Sequence, residues 1–385
     1  MNNMNLETVS LSKNELSRYA RHLSLSEIGL NGQKKLKSSS VLCIGCGGLG
    51  SPLLLYLAAA GIGKLGIADN DFVEDSNLQR QIIHGVSRIG NLKSHSAKIQ
   101  IKEINPYCEV ETFPQSIKST NALELIKDFD LVCDCTDNFP SRYLINDACV
   151  ILKKPLVYGS VDRFIGQASV FNLNKNSPNY RDLLPEPPDI KMIPSCEESG
   201  VLGVIPGVIG LIQATESIKI ITGVGDVLDG KLLIFDAKGM NFKKLTLNKN
   251  NDTKKIKSLI DYDQFCARNK NRDNNEFKPD IISPEALILK EKNNPEDTII
   301  IDVRTKEEAQ ISSIRNSILI PLIDIEREEA INRIKEISQG KSLYIYCKSG
   351  KRSIKALRKL HEFGIEGINI EGGIEAWDKF KKSNQ

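Results

Sequence analysis

The stretch Val41-Leu42-Cys43-Ile44-Gly45-Cys46-Gly47-Gly48-Leu49-Gly50 decides the fold of this chain. Its first four residues are typical of a buried strand, and the helix-forming run Leu53–Ala60 follows the last glycine. Glycines in the spacing G-x-G-x-x-G allow backbone N–H groups to approach a phosphate at the helix N-terminus. Asp69 follows about 20 residues later, at the end of the next predicted strand, where a carboxylate can accept hydrogen bonds from a ribose. The sequence therefore predicts a nucleotide site on a sheet.

The glycine spacing alone does not separate NAD from ATP. The segment Ser76-Asn77-Leu78-Gln79-Arg80 and Lys93 add polar side chains and two cations, which suit a triphosphate better than a dinucleotide. Asp137 and Asn138 follow another apolar strand, and a carboxylate there could hold Mg²⁺ against the phosphates. Each residue alone is more often a surface charge or a helix cap. Their shared position at the carboxyl ends of strands favours a site for ATP.

The order of elements predicts two domains of the α/β class. Strand candidates alternate with helical stretches upstream, which is typical of a doubly wound, mostly parallel, Rossmann-like sheet. A stretch rich in Asn, Lys and Asp follows, and then a second, smaller set of alternating strands and helices. We predict a nucleotide-binding domain over 1–247, a linker over 248–279 and a smaller α/β domain over 280–385.

Composition excludes several classes of protein. The chain has 385 residues, of which 40% are hydrophobic and 26% charged, with a net charge of +3, so a disordered, collagen-like or nucleic-acid-coating protein is not expected. Nine irregularly spaced cysteines suggest reducing surroundings. The uncharged stretch Gly200–Thr215 contains Pro206 and is short for a membrane span, so we interpret it as a buried helix. With no targeting signal seen, we expect the cytoplasm, or an organelle stroma if the chain is encoded there.

Seven segments, in order along residues 15 to 245, resemble the molybdopterin-synthase adenylyltransferase family of the ubiquitin-activating-type superfamily. They are Arg18–Arg21, Gly45–Gly50, Asp69–Asp71, Ser76–Gln81, Cys135–Asn138, Pro155–Ser160 and Pro194–Cys196. The resemblance implies ATP-dependent adenylation of the C-terminal Gly-Gly carboxylate of a small ubiquitin-like protein. Position by position, it also implies that ATP or Mg²⁺ is contacted by Gly48, Asp69, Ser76, Asn77, Leu78, Gln79, Arg80, Lys93, Asp137 and Asn138.

The same resemblance implies a homodimer in which Arg21 reaches the nucleotide of the other subunit. Asp137 is the expected Mg²⁺ ligand. Arg80 and Lys93 are the expected catalytic cations, because a weak carboxylate nucleophile must be held in line with the α-phosphorus while positive charge screens the phosphates. No protein nucleophile is needed for this step.

Cys347 is the stronger candidate for covalent chemistry. It follows the strand Leu343–Tyr346 and opens the loop Cys347–Ser353, which contains three cations and precedes a helix. Loop N–H groups, a helix N-terminus and cations all favour a thiolate. Together with three further segments, Ile301–Arg304, Ile320–Leu322 and Glu371–Trp377, the loop resembles a rhodanese domain over residues 280–382. The resemblance implies a persulfide on Cys347, and the loop from Cys347 through Arg352 has the sulfurtransferase length. The resemblance to the rhodanese family is lost at Ser313–Ser317, outside the loop of Cys347.

Cys196 lies in the polar segment Pro194–Gly200. The resemblance implies a transient link between this cysteine and the carrier protein, by a thioester or an acyl disulfide. The sequence itself shows no neighbouring base or cation, and Glu197 and Glu198 would raise a thiol pKa. Its catalytic role is therefore a prediction from the resemblance alone.

The family usually carries a structural zinc held by two Cys-x-x-Cys pairs. This chain has Asn179-Tyr180-Arg181-Asp182 at the first location and no cysteine in Leu247–Lys257. Cys43 and Cys46 are a poor substitute because they lie across a strand and its phosphate loop. We predict no bound zinc, since tetrahedral thiolate coordination cannot form.

Joining the two resemblances, we predict that the carrier acyl-adenylate becomes a thiocarboxylate with sulfur from Cys347. The small subunit of molybdopterin synthase is the favoured carrier, and a thiamine or tRNA-thiolation carrier is the alternative. A persulfide or thiosulfate would supply the sulfur, and neither nucleic acid nor membrane is expected as a partner. An NAD-dependent oxidoreductase fused to a sulfurtransferase and a non-catalytic carrier-docking scaffold remain open at this stage.

Overall fold

The computed structural model describes residues 6–188, 200–250, 256–267, 279–325 and 327–383. The chain divides into two compact units, Met1–Arg272 and Asp273–Gln385.

The first unit is built on an 8-stranded sheet. Its strands are β1 (Ser40–Ile44), β2 (Lys64–Ala68), β3 (Glu109–Phe113), β4 (Leu131–Asp134), β5 (Leu156–Asp162), β6 (Ile165–Phe171), β7 (Lys231–Asp236) and β8 (Asn241–Thr246). The strand order is β3-β2-β1-β4-β5-β6-β7-β8, parallel as far as β5 and antiparallel from there. The predicted mostly parallel, doubly wound sheet is confirmed.

The described helices of this unit are α1 (Lys13–Arg18), α2 (Ala20–Leu23), α3 (Gly29–Ser38), α4 (Gly50–Ala60), α5 (Lys93–Ile104), α6 (Ala122–Lys127), α7 (Phe139–Leu152), α8 (Tyr180–Leu183), α9 (Val204–Thr222) and α10 (Tyr262–Ala267). Short 3-10 helices cover Asp75–Asn77 and Val86–Arg88.

Strand β1 is apolar from Val41 to Ile44, and side chains on both of its faces are buried. Val41 and Cys43 belong to the core cluster that includes Leu53 and Leu57 of α4. Leu42 belongs to the cluster on the other face, with Tyr143 of α7. A central parallel strand covered on both faces reads as a continuous apolar run rather than an alternating one. This arrangement points the end of β1 and the start of α4 at the same edge of the sheet.

Helix α9 is long and apolar enough, by length and composition, to cross a membrane. In the fold it packs on α4 and β5, and half of its most apolar window is buried. Gln213 ties it to the sheet, donating from Nε2 to the carbonyl oxygens of Asp134 at 2.8 Å and Val157 at 3.3 Å. These contacts are those of a core helix, in agreement with the buried helix predicted for the stretch Gly200–Thr215.

Part of the predicted linker 248–279 packs on the first unit. Helix α10 buries Tyr262 and Cys266 against α7. The Tyr262 hydroxyl donates to Asp147 Oδ2 at 2.7 Å, and Arg181 forms two hydrogen bonds to the same carboxylate, at 2.9 and 2.7 Å. The polar composition of this segment does not reveal its packing, because two buried side chains and one shared carboxylate connect it to the first unit. Residues 268–278 lie outside the described residues.

The second unit has a 5-stranded parallel sheet in the order β11-β10-β12-β13-β9. Its strands are β9 (Asp280–Ile282), β10 (Thr298–Asp302), β11 (Ile318–Leu319), β12 (Ser342–Tyr346) and β13 (Ile368–Ile370). Its described helices are α11 (Pro284–Asn293), α12 (Lys306–Ile311), α13 (Glu328–Ile337), α14 (Lys351–His361) and α15 (Gly373–Ser383), with a 3-10 turn at Pro295–Asp297. Separate apolar clusters cover the two faces of the sheet. The predicted smaller α/β domain is confirmed.

Candidate functional site

A cavity of about 340 Å³ opens at the carboxyl ends of the parallel strands of the first unit. Seven of the site residues expected from the sequence line it, namely Gly48, Asp69, Asn77, Arg80, Lys93, Asp137 and Asn138. Ser76, Leu78 and Gln79 are not among the lining residues, although they lie on the same turn as Asn77 and Arg80. Arg21 lies on α2 and does not line the cavity, and its expected role concerns the other subunit.

The glycine-rich loop forms one wall, and its backbone requires glycine at two points. Gly45 has φ +93°, and a Cβ there would lie 2.6 Å from the carbonyl oxygen of Cys135. A Cβ on Gly50 would lie 2.3 Å from the carbonyl oxygen of Gly45. The loop therefore turns tightly from β1 into α4 and presents the helix N-terminus to the cavity, where backbone N–H groups favour an anion.

Asp69 joins the loop to the end of β2. Its Oδ2 accepts a hydrogen bond from the N–H of Cys46 at 2.7 Å, and its Oδ1 accepts one from the N–H of Asp71 at 2.8 Å. Burial raises the pKa of this carboxyl. One lone pair on each oxygen remains for a further donor, so the carboxylate both braces the phosphate loop and can accept from a ribose hydroxyl.

Two cations enter the cavity from the segment after β2. Lys93, the first residue of α5, is only 7% exposed, and its Nζ donates to Asp71 Oδ2 at 3.0 Å. Asp71 is the partner that sequence reasoning missed, and its side chain is 64% exposed. Arg80 Nη1 donates to the carbonyl oxygen of Ser76 at 3.1 Å. A buried ammonium with an exposed counterion can exchange that partner for a phosphate oxygen.

The opposite wall is the turn from β4 into α7. Asp134, 1% exposed, accepts from the backbone N–H and the hydroxyl of Thr136 at 2.9 and 2.7 Å, which shapes the turn. Asn138 then caps α7 by accepting from the N–H of Ser141 at 3.0 Å. Asp137 lies between them, exposed to the cavity. The strand-end positions predicted from the sequence are thus brought together in one wall.

The side chains that line the cavity fit a Mg²⁺ ion that would be bound mainly by the phosphates of ATP. Within the described ranges there is no group of three or more His, Cys, Asp or Glu side chains placed to hold a metal ion. Mg²⁺ in nucleotide sites commonly uses one or two carboxylates together with phosphate oxygens and water, and Asp137 can supply such a carboxylate.

The second unit holds a separate candidate site at Cys347, which follows β12 and is 1% exposed. Its Sγ accepts a hydrogen bond from the N–H of Gly350 at 3.1 Å, and the Ser353 hydroxyl lies 3.5 Å away. Gly350 has φ +95° and precedes the first turn of α14. The Ser353 hydroxyl is nearer to Asn369 Oδ1, at 2.6 Å, so the Gly350 N–H is the short donor that the loop places on the sulfur.

Two of the three loop cations are held by carboxylates. Arg352 donates to both oxygens of Glu308, at 2.7 and 2.6 Å, and Lys348 Nζ lies 3.5 Å from Glu375 Oε1. Lys351 is exposed at the start of α14. Sequence spacing shows the cations and misses these partners, which come from α12 and α15. Arg352 therefore braces the loop against α12.

Polar contacts connect the two segments in which the family usually has its paired zinc-binding cysteines. Asn179 and Asp182 cap α8 reciprocally, and the N–H of Asn250 donates to Asp182 Oδ1 at 3.0 Å. This hydrogen bond therefore joins the two segments that a zinc ion held by paired cysteines would otherwise connect. Cys196 lies in 189–199, outside the described residues, so its role stays a prediction.

Both units match known protein families. A model of the ThiF family matches residues 19–256, and a model of the Rhodanese-like domain matches residues 285–380. A probable adenylyltransferase/sulfurtransferase MoeZ of Mycobacterium tuberculosis is 44% identical over 96% of this chain and 94% of its own length. The adenylyltransferase and sulfurtransferase MOCS3 of Aedes aegypti is 41% identical over 95% of this chain and 87% of its own length.

Among solved structures, MccB of E. coli crystallised with ATP resembles the chain with a TM-score of 0.56 at 22% identity, covering 64% of this chain and 75% of MccB. PaaA resembles it with a TM-score of 0.53 at 24% identity, covering 65% of this chain and 78% of PaaA. At these identities the likeness concerns the fold alone.

Proposed function

The chain belongs to the ThiF family and ends in a rhodanese-like domain, and from this premise we propose the substrate and the order of its reaction. It is an adenylyltransferase and sulfurtransferase that uses ATP to activate a sulfur carrier and then transfers sulfur to it. We propose that the carrier is a small ubiquitin-like protein ending in Gly-Gly, most specifically the small subunit of molybdopterin synthase. The observation that carries the proposal is the presence in one chain of the cation-lined nucleotide cavity and of Cys347, whose sulfur accepts a hydrogen bond from the N–H of Gly350.

In the first step, a carboxylate oxygen of the carrier attacks the α-phosphorus of ATP. The bond from that phosphorus to the bridging oxygen breaks, and pyrophosphate leaves with the electron pair. Lys93 and Arg80 line the cavity where the phosphates would lie, and Asp137 would hold Mg²⁺ against them. Preorganised charge lowers the barrier by stabilising the negative charge that develops on the phosphate oxygens.

In the second step, the outer sulfur of a Cys347 persulfide attacks the acyl carbon, and AMP leaves. The product is an acyl disulfide between the carrier and Cys347. A thiol then attacks the Cys347 sulfur, the S–S bond breaks, and the electron pair stays with the carrier sulfur as a thiocarboxylate. We propose that an external thiol does this and that a second one reduces the disulfide left on Cys347. We propose Cys196 as the residue that holds the carrier transiently. It does so either as a thioester, formed when its thiolate attacks the acyl carbon and AMP leaves before the persulfide displaces Cys196, or as an acyl disulfide, formed when it attacks the carrier sulfur and Cys347 leaves as a thiolate. A persulfide or thiosulfate recharges Cys347.

The proposal includes a homodimer in which Arg21 reaches the nucleotide of the other subunit. It also places the chain in the cytoplasm or in the stroma of an organelle that makes its own proteins. The eight cysteines whose side chains are described are all free and buried, which supports a reducing compartment.

The test is a complete reaction with defined components. The full chain is incubated with ATP, Mg²⁺, thiosulfate and separate Gly-Gly carriers for molybdopterin, thiamine and tRNA thiolation, and each carrier is weighed intact. Replacement of one oxygen by sulfur on the molybdopterin carrier, with slower conversion of the others, is expected. Preference for another carrier would overturn the substrate assignment, and NADH binding with indifference to ATP would overturn the reaction class.

Cys196 is tested in the same assay. In Cys196→Ala we expect adenylation to continue while the carrier conjugate that forms on Cys196, trapped without reductant, disappears. Full thiocarboxylate formation by this variant would remove Cys196 from the reaction. Cys266→Ala, which changes a cysteine buried near α7, is the matched control.

A further inference from the structure

Arg142 is a buried cation on the cavity wall for which the sequence offered no role. It lies in the second turn of α7 and is only 8% exposed, yet it lines the nucleotide cavity. Its Nη2 donates to the carbonyl oxygen of Thr136 at 3.2 Å, and its Nε is buried without a hydrogen-bond partner in the part of the chain that the structure describes. The guanidinium carbon lies 5.6 Å from the centre of the Tyr158 ring and 5.7 Å from that of Phe139.

This environment leaves the charge of Arg142 incompletely satisfied. The Tyr180 hydroxyl is a further hydrogen-bonding neighbour of the guanidinium. Among the described residues, however, no carboxylate oxygen lies within 4.0 Å of its nitrogens, and the nearby Asp134 carboxylate is engaged by Thr136. Burying a guanidinium is costly unless hydrogen bonds and an opposite charge compensate it. Stacking on two aromatic rings orients the guanidinium plane without supplying that charge. An anion from outside the chain would complete the site.

The position of Arg142 in the sheet indicates which anion this is. The ribose-binding carboxylate Asp69 ends β2, and the phosphate loop follows β1. Tyr158, on which Arg142 stacks, belongs to β5, on the far side of β4 from the loop. Val161 of β5 and Val201 line the cavity at this end. The sugar and phosphates of ATP are therefore expected along β2, β1 and the turn after β4, which leaves the β5 side for the second substrate.

We propose that Arg142 binds the C-terminal carboxylate of the carrier protein and orients it toward the α-phosphorus. This inference rests on the proposed function and adds the residue that recognises the reacting group. Guanidinium is suited to the task because its planar donors match a carboxylate and keep their charge at any working pH. In the same position Arg142 fixes the Thr136 carbonyl, so it links the carrier tail to the turn that carries Asp137.

The experiment compares two forms of the recombinant molybdopterin synthase small subunit, one with its natural C-terminal carboxylate and one with a C-terminal carboxamide. Binding of each form to the full chain is measured with a non-hydrolysable ATP analogue present, and affinity for the analogue is measured separately. The proteins are wild type, Arg142→Gln, Arg142→Lys and the matched charge control Arg315→Gln, an exposed arginine of the second unit.

Wild type and Arg315→Gln are expected to bind the carboxylate form about 10- to 100-fold more tightly than the carboxamide, as for a hydrogen bond between charged groups. Arg142→Gln should lose this preference while its affinity for the ATP analogue is unchanged, and Arg142→Lys should keep part of it. The inference is overturned if Arg142→Gln retains the preference for the carboxylate form. It is also overturned if Arg142→Gln weakens binding of the ATP analogue as much as binding of the carrier.

Failure of the proposed function would look different, because wild type itself would then neither bind the carrier nor catalyse carrier-dependent pyrophosphate exchange. Thermal unfolding checks that each variant is folded. If Arg142→Gln does not fold, the Lys variant decides the matter through its reduced discrimination between the two carrier forms.

Discussion

We expect the replacement of Lys93 by alanine to remove most of the adenylation activity and to leave the protein folded. Lys93 is buried at the start of α5, but its ion-pair partner Asp71 is 64% exposed. An ion pair with so exposed a partner contributes about 1 kcal/mol or less to stability. Loss of the buried stem of the side chain adds a similar amount. Since domains are stable by about 5–15 kcal/mol, the Lys93→Ala protein should remain folded.

The effect on the reaction should be much larger. An ammonium about 4 Å from a phosphate charge gains about 4 kcal/mol at an effective dielectric constant of about 20. The variant also leaves the Asp71 carboxylate, 3.0 Å from Nζ in the native protein, without its counterion beside the phosphates. If most of the interaction is realised in the transition state, exchange should fall by about 100- to 1,000-fold.

The assay is carrier-dependent exchange of radiolabelled pyrophosphate into ATP, with urea unfolding measured on the same samples. Lys98→Ala is the control, because Lys98 is an exposed lysine on the same helix. We expect near-native exchange from the control and a stability loss of about 1–2 kcal/mol in Lys93→Ala. Equal exchange rates in the two variants would refute the assignment of Lys93 to the phosphate site.

Three further predictions concern other parts of the chain. Cys347→Ser should abolish persulfide and thiocarboxylate in intact-mass measurements while pyrophosphate exchange continues; a sulfur adduct on the variant would contradict the assignment. Burial lowers the pKa of His84 from 6.5 to about 4. The fold therefore favours neutral imidazole, and the stability this gives is complete above pH 6.5 and is lost as the pH falls toward 4. Urea unfolding should show a loss of up to about 3 kcal/mol over this interval, and His84→Gln should reduce it. Finally, metal analysis should find no zinc, and one zinc per chain would overturn this prediction.

Several features of the site could be predicted from the sequence because they depend on residues close together in the chain. The phosphate loop is one, since the glycine spacing has meaning only in a turn between a strand and a helix. The Cys347 loop is another, since its length and following helix are local. Asp69 and Asp137 were found because the carboxyl ends of parallel strands meet at one edge of a sheet.

Other features depend on contacts between distant segments. The association of Lys93 with Asp71 joins α5 to the end of β2, and that of Arg352 with Glu308 joins α14 to α12. Nothing in the local pattern distinguishes these residues from surface charges. The packing of Tyr262 on α7 was hidden in the same way, inside a segment whose composition is typical of a linker.

The amino-acid sequence by itself determined the two α/β domains and the nucleotide loop and predicted Cys347 as the reactive cysteine, because hydrophobic period, glycine spacing and loop length act within a few residues. Only the tertiary structure decided which charges are buried and what they face. Arg142 shows the reason, because its cost of desolvation and its stacking on Tyr158 arise when α7 packs on β4 and brings this side chain against β5, and neither exists in the extended chain.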